Sequence, residues 1–308
     1  MAKGETPPAA APVPPIDIGQ IADPPFAVLP DPARLFLTRA ARLAALADGN
    51  PAGPYLLFLS AIATAQHDAQ HPLPAPVMPP KEVLERAYAH TMPPIAGAEL
   101  TGEAFAVVLM ALLDRLETGD VTPECRQVAT ALRSLAAEDW SDMAEAVLQG
   151  AIPADEVAAH VLVAAALQVH ATRLAAGLEA SRLTRIADAI CPACGSPPVA
   201  SHVVGWPGAH GARFCQCSVC ATNWHVPRIR CLSCGNEKDV AYHGIEGGPE
   251  AVRAETCDAC RSYVKIFHQH KDPKVEPLAD DVASLGLDMM LREEGFTRVA
   301  ANPFLLGE

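Results

Sequence analysis

Two stretches, CPACGSPPVASHVVGWPGAHGARFCQCSVC (191–220) and CLSCGNEKDVAYHGIEGGPEAVRAETCDAC (231–260), decide how this chain is read. Each opens and closes on a Cys-x-x-Cys pair, with 22 residues between the inner cysteines, and every cysteine of the first set recurs 40 residues later in the second. Eight independently placed cysteines do not fall into such a register, so the segment is a duplicated four-cysteine module.

The spacing suits tetrahedral coordination. Two residues between thiols let the chain curl so that both sulfurs reach one ion at about 2.3 Å, and a second pair closes the shell. Equal spacing predicts pairing within copies: Cys191, Cys194, Cys217 and Cys220 on one metal, Cys231, Cys234, Cys257 and Cys260 on the other. Crossed pairing would need longer loops. The residue after a second thiol often needs a positive φ, which Gly195 and Gly235 supply; Ala221 and Arg261 stand at the matching places of the closing pairs, predicting tighter turns there. Units of about 30 residues fall below the size that usually holds a core without cross-links, so the metal is expected to be part of the fold. A thioredoxin-like redox pair would need a flanking βαβ pattern, which is absent, and structural disulfides would need a secreted context.

With 308 residues, half of them apolar, the chain allows about two domains, and its net charge of -13 argues against a general nucleic-acid binder. The opening MAKGETPPAAAPVPP (1–15) has neither a basic nor an apolar signal region, and an extended or disordered tail is expected over 1–30. The longest uninterrupted apolar run, Ala104 to Leu113, is too short for a membrane span, which predicts a cytoplasmic protein without membrane insertion.

From 31 to 188 the pattern is helical, with about seven helices and no strong strand signal. Asp31-Pro32 is a cap followed by proline in the first turn, the prolines at 72, 74, 76, 79 and 80 form a linker, Thr101 to Leu116 is a strongly apolar helix, and a long Ala-rich helix starts at Pro153 and runs to about Arg185. The expected architecture is α+β and multidomain: a helical domain (31–188), two tandem rubredoxin-like or zinc-ribbon modules (189–230 and 231–277), and a C-terminal helix and tail (278–308). Asp280 to Glu293 should form an amphipathic strap, with Leu278, Val282, Leu285, Met289 and Met290 available to one face.

Charge changes at the domain boundary. No Asp or Glu occurs from Ala189 to Asn236, while Arg213, Arg228 and Arg230 stand there with His202, His210 and His225. Such an island either offsets the negative charge of four thiolates around a divalent ion or docks a partner, with Arg213, His225, Arg228 and Arg230 as the docking residues.

CPACGSPPVAS (191–201), CSVCATNWHVPRIRC (217–231), AETCDACRSYVKIF (254–267), KDPKVEPLADDVASLGLDMMLREEGF (271–296) and ANPFLL (301–306) resemble the formate dehydrogenase accessory proteins of the FdhE family. The resemblance implies a cytoplasmic assembly factor required for the activity of respiratory formate dehydrogenases, which binds iron (or zinc in its place) through these cysteines, two ions per chain, and contacts the catalytic subunit before export. It implies no formate oxidation by the chain itself, in keeping with the lack of a cofactor-binding glycine loop or a nucleophile-base constellation. Homo-oligomerisation stays open. Competing classes are a thiol or sulfur-transfer catalyst and a nucleic-acid-binding zinc ribbon.

Two cysteines lie outside the repeat. Cys215 is expected as a small strand residue, with an extra ligand or redox partner as the alternative; Cys125 is expected to pack, although a first-turn thiol can have a depressed pKa. His225 is read as a neighbour of the metal site or a surface residue, with metal ligation as the alternative; Trp224, Tyr263, Ile266 and Phe267 are read as the ribbons' apolar core, and His268 and His270 as solvated.

Overall fold

The computed structural model describes residues 23–305. The expected tail at 1–15 lies outside them, but the end of the 1–30 segment is ordered into the fold: β1 (Ala27–Val28) pairs antiparallel with β4 (Asn223–Val226), Ala27 opposite Trp224. A short apolar segment thereby covers one edge of the first ribbon.

The helical domain follows. Asp31 accepts a hydrogen bond from Ala33 N and Pro32 occupies the first turn of α1 (Pro32–Ala47), whose Phe36, Arg39, Ala40 and Leu43 repeat at helical spacing on the buried face. Next come α2 (Gly53–Ala69), the proline linker, α3 (Lys81–Ala89), α4 (Ala98–Thr101) and α5 (Glu103–Thr118). The single apolar helix expected from Thr101 is divided at Gly102, whose extended backbone separates α4 from α5. The domain continues through α6 (Pro123–Arg133), capped by the Thr122 hydroxyl, and α7 (Ala137–Gln149) to α8 (Val157–Ala176).

α8 is shorter than expected. It stops at Gly177, where a Cβ would meet the Met78 sulfur at 2.7 Å, so the proline linker passes close over the helix end. Among the described residues α8 is also the one helix long and apolar enough by composition to cross a membrane, although His160, Gln168 and His170 interrupt its apolar run. It is buried nearly all round, and its polar Gln168 and His170 are bonded within the protein, as befits a core helix.

Beyond it lies an eight-stranded sheet in the order β1-β4-β3-β2-β7-β6-β5, with β8 also on β7. The first ribbon supplies β2 (Pro198–Val203), β3 (Arg213–Cys217) and β4; the second supplies β5 (Val240–His243), β6 (Val252–Cys257) and β7 (Ser262–His268). Each set is antiparallel, and β2 joins β7 in parallel with Ser201 opposite Ile266. The modules are tandem in sequence but share one sheet. One hydrophobic core runs from Leu43 and Leu112 of the helices through Val199 and Trp224 to Val264 and Phe267.

The C-terminal strap is two helices, α9 (Pro277–Ala283) and α10 (Leu285–Glu293), where one was expected. The Ser284 N–H and hydroxyl both donate to Asp280 O, and the buried Lys265 ammonium donates at 2.6 Å to Asp281 O, the carbonyl that the next helical N–H would take. The break rephases the apolar face. Leu287 and Leu291 are buried, while Met289 and Met290, expected on the packing face, are exposed. Lys265 and Arg298, the latter in β8 (Thr297–Arg298), balance Asp281 and Asp288 in a buried group that anchors the strap to β7.

Candidate metal centres

The repeat forms two cages. Cys191 Sγ lies 3.6 Å from Cys220 Sγ and Cys194 Sγ 3.3 Å from Cys217 Sγ; in the second copy Cys231 Sγ is 3.6 Å from Cys260 Sγ and Cys234 Sγ 3.7 Å from Cys257 Sγ. Within each group all donor atoms fall inside 4.8 Å of one another. A tetrahedron with metal–sulfur bonds of about 2.3 Å has edges of about 3.8 Å, close to these separations, whereas a disulfide would need about 2.05 Å. Both cages therefore fit a metal ion, and each draws all its donors from one copy.

The two copies build their turns alike. Gly195 N donates to Cys191 O and Gly235 N to Cys231 O, each at 3.0 Å, with the glycines at φ of 82° and 75°. Ala221 and Arg261 adopt the same left-handed region, at 58° and 56°, although each carries a side chain. Hydroxyls 40 residues apart sit beside corresponding thiols: Thr222 Oγ1 is 3.2 Å from Cys220 Sγ and Ser262 Oγ is 2.9 Å from Cys260 Sγ. In the first cage Cys220 Sγ donates to Thr222 Oγ1; in the second the Ser262 hydroxyl can donate to the Cys260 thiolate and spread its charge. Burial opposes ionisation of Cys260, but Ser262 and the neighbouring thiols outweigh it and bring the group down to about 6. Neither hydroxyl was singled out from sequence, although both follow from the same 40-residue offset.

The surroundings of the cages differ. All the cysteines of the first cage are buried, and its turns are held by the helical domain: Ile95 N donates to Ala193 O at 3.1 Å, and Gln168 Nε2 of α8 donates to Ser218 O at 2.8 Å. Gln168 in turn accepts from Arg39, which pairs with Glu276, so the cage is wired through the helices to the start of the strap. In the second cage Cys231 and Cys257 are buried while Cys234 and Cys260 are exposed.

The positive island reaches the surface only in part. Arg213, expected to dock a partner, is fully buried and bonded to Glu255 at 2.8 Å, because its strand lies inside the shared sheet. Arg230 pairs with Asp188 and Glu237, acids just outside the acid-free stretch. His225 is half-buried, lowered in pKa first by that burial, and packs edge-on to Phe214; Arg228 is exposed. His202 is buried and held near 4.

The remaining candidates fall away from the cages. Cys215 is buried in β3 opposite Trp224, its thiol pushed up to about 12 by burial. Cys125 is buried too, and desolvation raises its pKa against the weaker pull of Arg126. Tyr263, Ile266 and Phe267 are buried on β7, and Trp224 closes the first ribbon by donating to Asp188 O. His270 is exposed as expected, while His268 is half-buried, and burial lowers its pKa to about 4.

Known proteins share this arrangement from end to end. Residues 24–188 match the family model described as FdhE, N-terminal; residues 190–228 match the FdhE central domain; residues 229–305 match the FdhE C-terminal domain. The chain is 42% identical over 293 residues to the FdhE homolog of Rhizobium meliloti (94% of this chain, 96% of that one), and 34% identical over 277 residues to FdhE of Escherichia coli O9:H4 (88% of each). The crystal structure of the FdhE protein from Pseudomonas aeruginosa superposes with a TM-score of 0.83 at 34% identity, covering 92% of this chain and 99% of that one. With all three segments matched, the sheet shared and both four-cysteine cages in place, the chain belongs to the FdhE family.

Proposed function

We propose that this protein is a cytoplasmic accessory factor in the maturation of respiratory formate dehydrogenase, that it contacts the catalytic subunit of that enzyme, and that it is not itself an enzyme. The observation that carries the reading is the match of the whole described chain to one accessory-protein family, with both four-cysteine cages intact. Cys191, Cys194, Cys217 and Cys220 hold one ion and Cys231, Cys234, Cys257 and Cys260 the other. Four thiolates suit either iron or zinc, and when bound the ion cross-links two turns of a ribbon and, if iron, can also change charge by one electron.

The chain's own residues do the rest. The paired glycine turns preset the thiols, the Ser262 hydroxyl shares thiolate charge, and α8 fixes the first cage against the helical domain. Of the residues expected to meet the client, Arg228 offers the exposed guanidinium, with His225 and Arg230 partly exposed beside it. An acidic chain whose Arg213 and Arg230 are paired internally does not suit a nucleic-acid partner. A thiol or sulfur-transfer role is the second reading, favoured by the exposure of Cys234 and Cys260.

Complementation tests the proposal. In cells lacking their own FdhE, the wild-type chain should restore formate dehydrogenase activity, and tagged catalytic subunit should retain the chain on a column. Restored activity without any association argues against the contact. Full activity from a chain with Cys234→Ser and Cys260→Ser removes the thiol-transfer reading.

A further inference from the structure

The residues inside the Cys-x-x-Cys pairs show that the duplicated cages are not equivalent. At positions 40 apart, Ala193, Ser218 and Val219 of the first cage are buried, whereas Ser233, Asp258 and Ala259 of the second are exposed. Two peptide carbonyls of the first cage, those of Ala193 and Ser218, are bonded by Ile95 and Gln168 of the helical domain. The second cage is covered on its Cys231 and Cys257 side, by β6, β7 and Leu232, and open on its Cys234 and Cys260 side. Around that open side lie Glu237, Lys238, Asp239, Asp258 and Arg261, a polar surface with both signs of charge.

An ion enclosed by four buried sulfurs leaves only if the turns around it open, which here means parting the ribbon from α8. An ion held by two exposed cysteines can be approached by a new donor first. The entering ligand bonds while the exposed thiolates let go one at a time, and the buried pair keeps the ion in place until the exchange is complete.

We propose that the second cage is a metal-exchange site, open to soft thiolate or chelating ligands along its Cys234–Cys260 edge, while the first holds its ion as a fixed part of the domain interface. The exchange is a ligand substitution without electron transfer: a divalent ion passes from four protein thiolates to the incoming donors, and the freed thiolates take protons from solvent. It rests on both clusters being metal cages, as argued above, and adds that only one of them trades its ion. The two closing pairs carry the difference in sequence, Cys-Ser-Val-Cys against Cys-Asp-Ala-Cys.

The test uses the full chain carrying two equivalents of zinc, challenged with excess 4-(2-pyridylazo)resorcinol, whose colour reports released metal. One equivalent should leave at least about tenfold faster than the other, a difference of about 1.4 kcal/mol in barrier, with helix content by circular dichroism unchanged after the fast phase. Cys231→Ser should bind one equivalent and show only the slow phase. Alkylation of the zinc-loaded wild type with iodoacetamide, followed by peptide mapping, should modify Cys234 and Cys260 before any cysteine of the first cage, and this readout needs no variant to fold. Equal release rates, a fast phase that persists in Cys231→Ser, or first-cage cysteines alkylated first would overturn the proposal. A chain that binds no zinc or iron yet restores formate dehydrogenase activity overturns it and leaves the accessory role standing. A chain that exchanges as described but restores nothing leaves the exchange site standing and overturns the role.

Discussion

Arg213 Nη2 lies 2.8 Å from Glu255 Oε1, with both side chains essentially sealed from solvent, and this pair joins β3 of the first ribbon to β6 of the second. Arg213 Nη1 also reaches the carbonyl of Arg230 in the connecting segment, and the Tyr242 hydroxyl donates to the other Glu255 oxygen. Burial pushes the Glu255 carboxyl up in pKa, and Arg213 offsets part of that. Arg213→Met should destabilise the protein by about 3–5 kcal/mol, because it leaves a buried carboxylate unpaired. Adding Glu255→Gln should recover part of the loss; denaturant midpoints of the single and double variants check this. An Arg213→Met chain as stable as wild type would mean that the pair does not hold the ribbons together.

Loss of one cage should leave the other filled. Cys231→Ser is expected to lower bound metal from two ions per chain to one, since each cage closes within its own copy. Cys191→Ser should also reduce metal by one, but with a larger fall in thermal midpoint, because Ile95 and Gln168 bond to the turns of that cage. Elemental analysis and thermal unfolding on the same samples separate the effects.

Ala221 and Arg261 should respond differently to glycine. A side chain in the left-handed region costs about 1–2 kcal/mol, of which glycine's added chain entropy takes back about 0.5–1, so Ala221→Gly should stabilise by roughly 0.5–1 kcal/mol. Arg261→Gly should show no gain, since it removes a guanidinium stacked 3.7 Å over the Phe296 ring and bonded to Glu294 O. Ala221→Val should be destabilising, a β-branched residue at positive φ being worse still. Urea denaturation of the metal-loaded variants measures all three.

His202 gives the fold a pH dependence. Its Nε2–H donates to Asn223 Oδ1 at 3.0 Å, Nδ1 is buried with no partner among the described residues, and burial holds the ring near 4 against 6.5 for the free group. Between those values the unfolded chain binds the proton and the folded chain does not. Stability is therefore complete above about pH 6.5 and falls by about 3 kcal/mol as pH drops to about 4. His202→Gln, which keeps an amide donor for Asn223, should show a shallower decline; denaturation midpoints of both proteins from pH 7.5 to 4.5, compared as a difference, report it.

Much was legible because it depends on spacing along the chain. The cap at Asp31 and the fourfold Cys-x-x-Cys register are set by residues within a few turns of one another, or by strict repetition, and such patterns survive whatever the rest of the chain does. Positive φ at Gly195 and Gly235 belongs with them. The strap was misread for the opposite reason. At the break the Asp281 carbonyl is taken by Lys265, which lies near it only after β7 and α9 have packed, and no local signal announces a carbonyl captured from another element.

The sequence by itself determined which cysteines form each cage and that helices precede ribbons, because coordination geometry and helical periodicity are short-range constraints. Only the tertiary structure decided that β2 and β7 merge the ribbons into one sheet, that Arg213 serves that junction and not a partner, and that one cage is sealed while its copy faces solvent. Each of these depends on which surface of a ribbon is covered by another element. Burial is a property of the assembled whole, and two segments with the same spacing acquire different chemistry when α8 closes over one of them and leaves the other open.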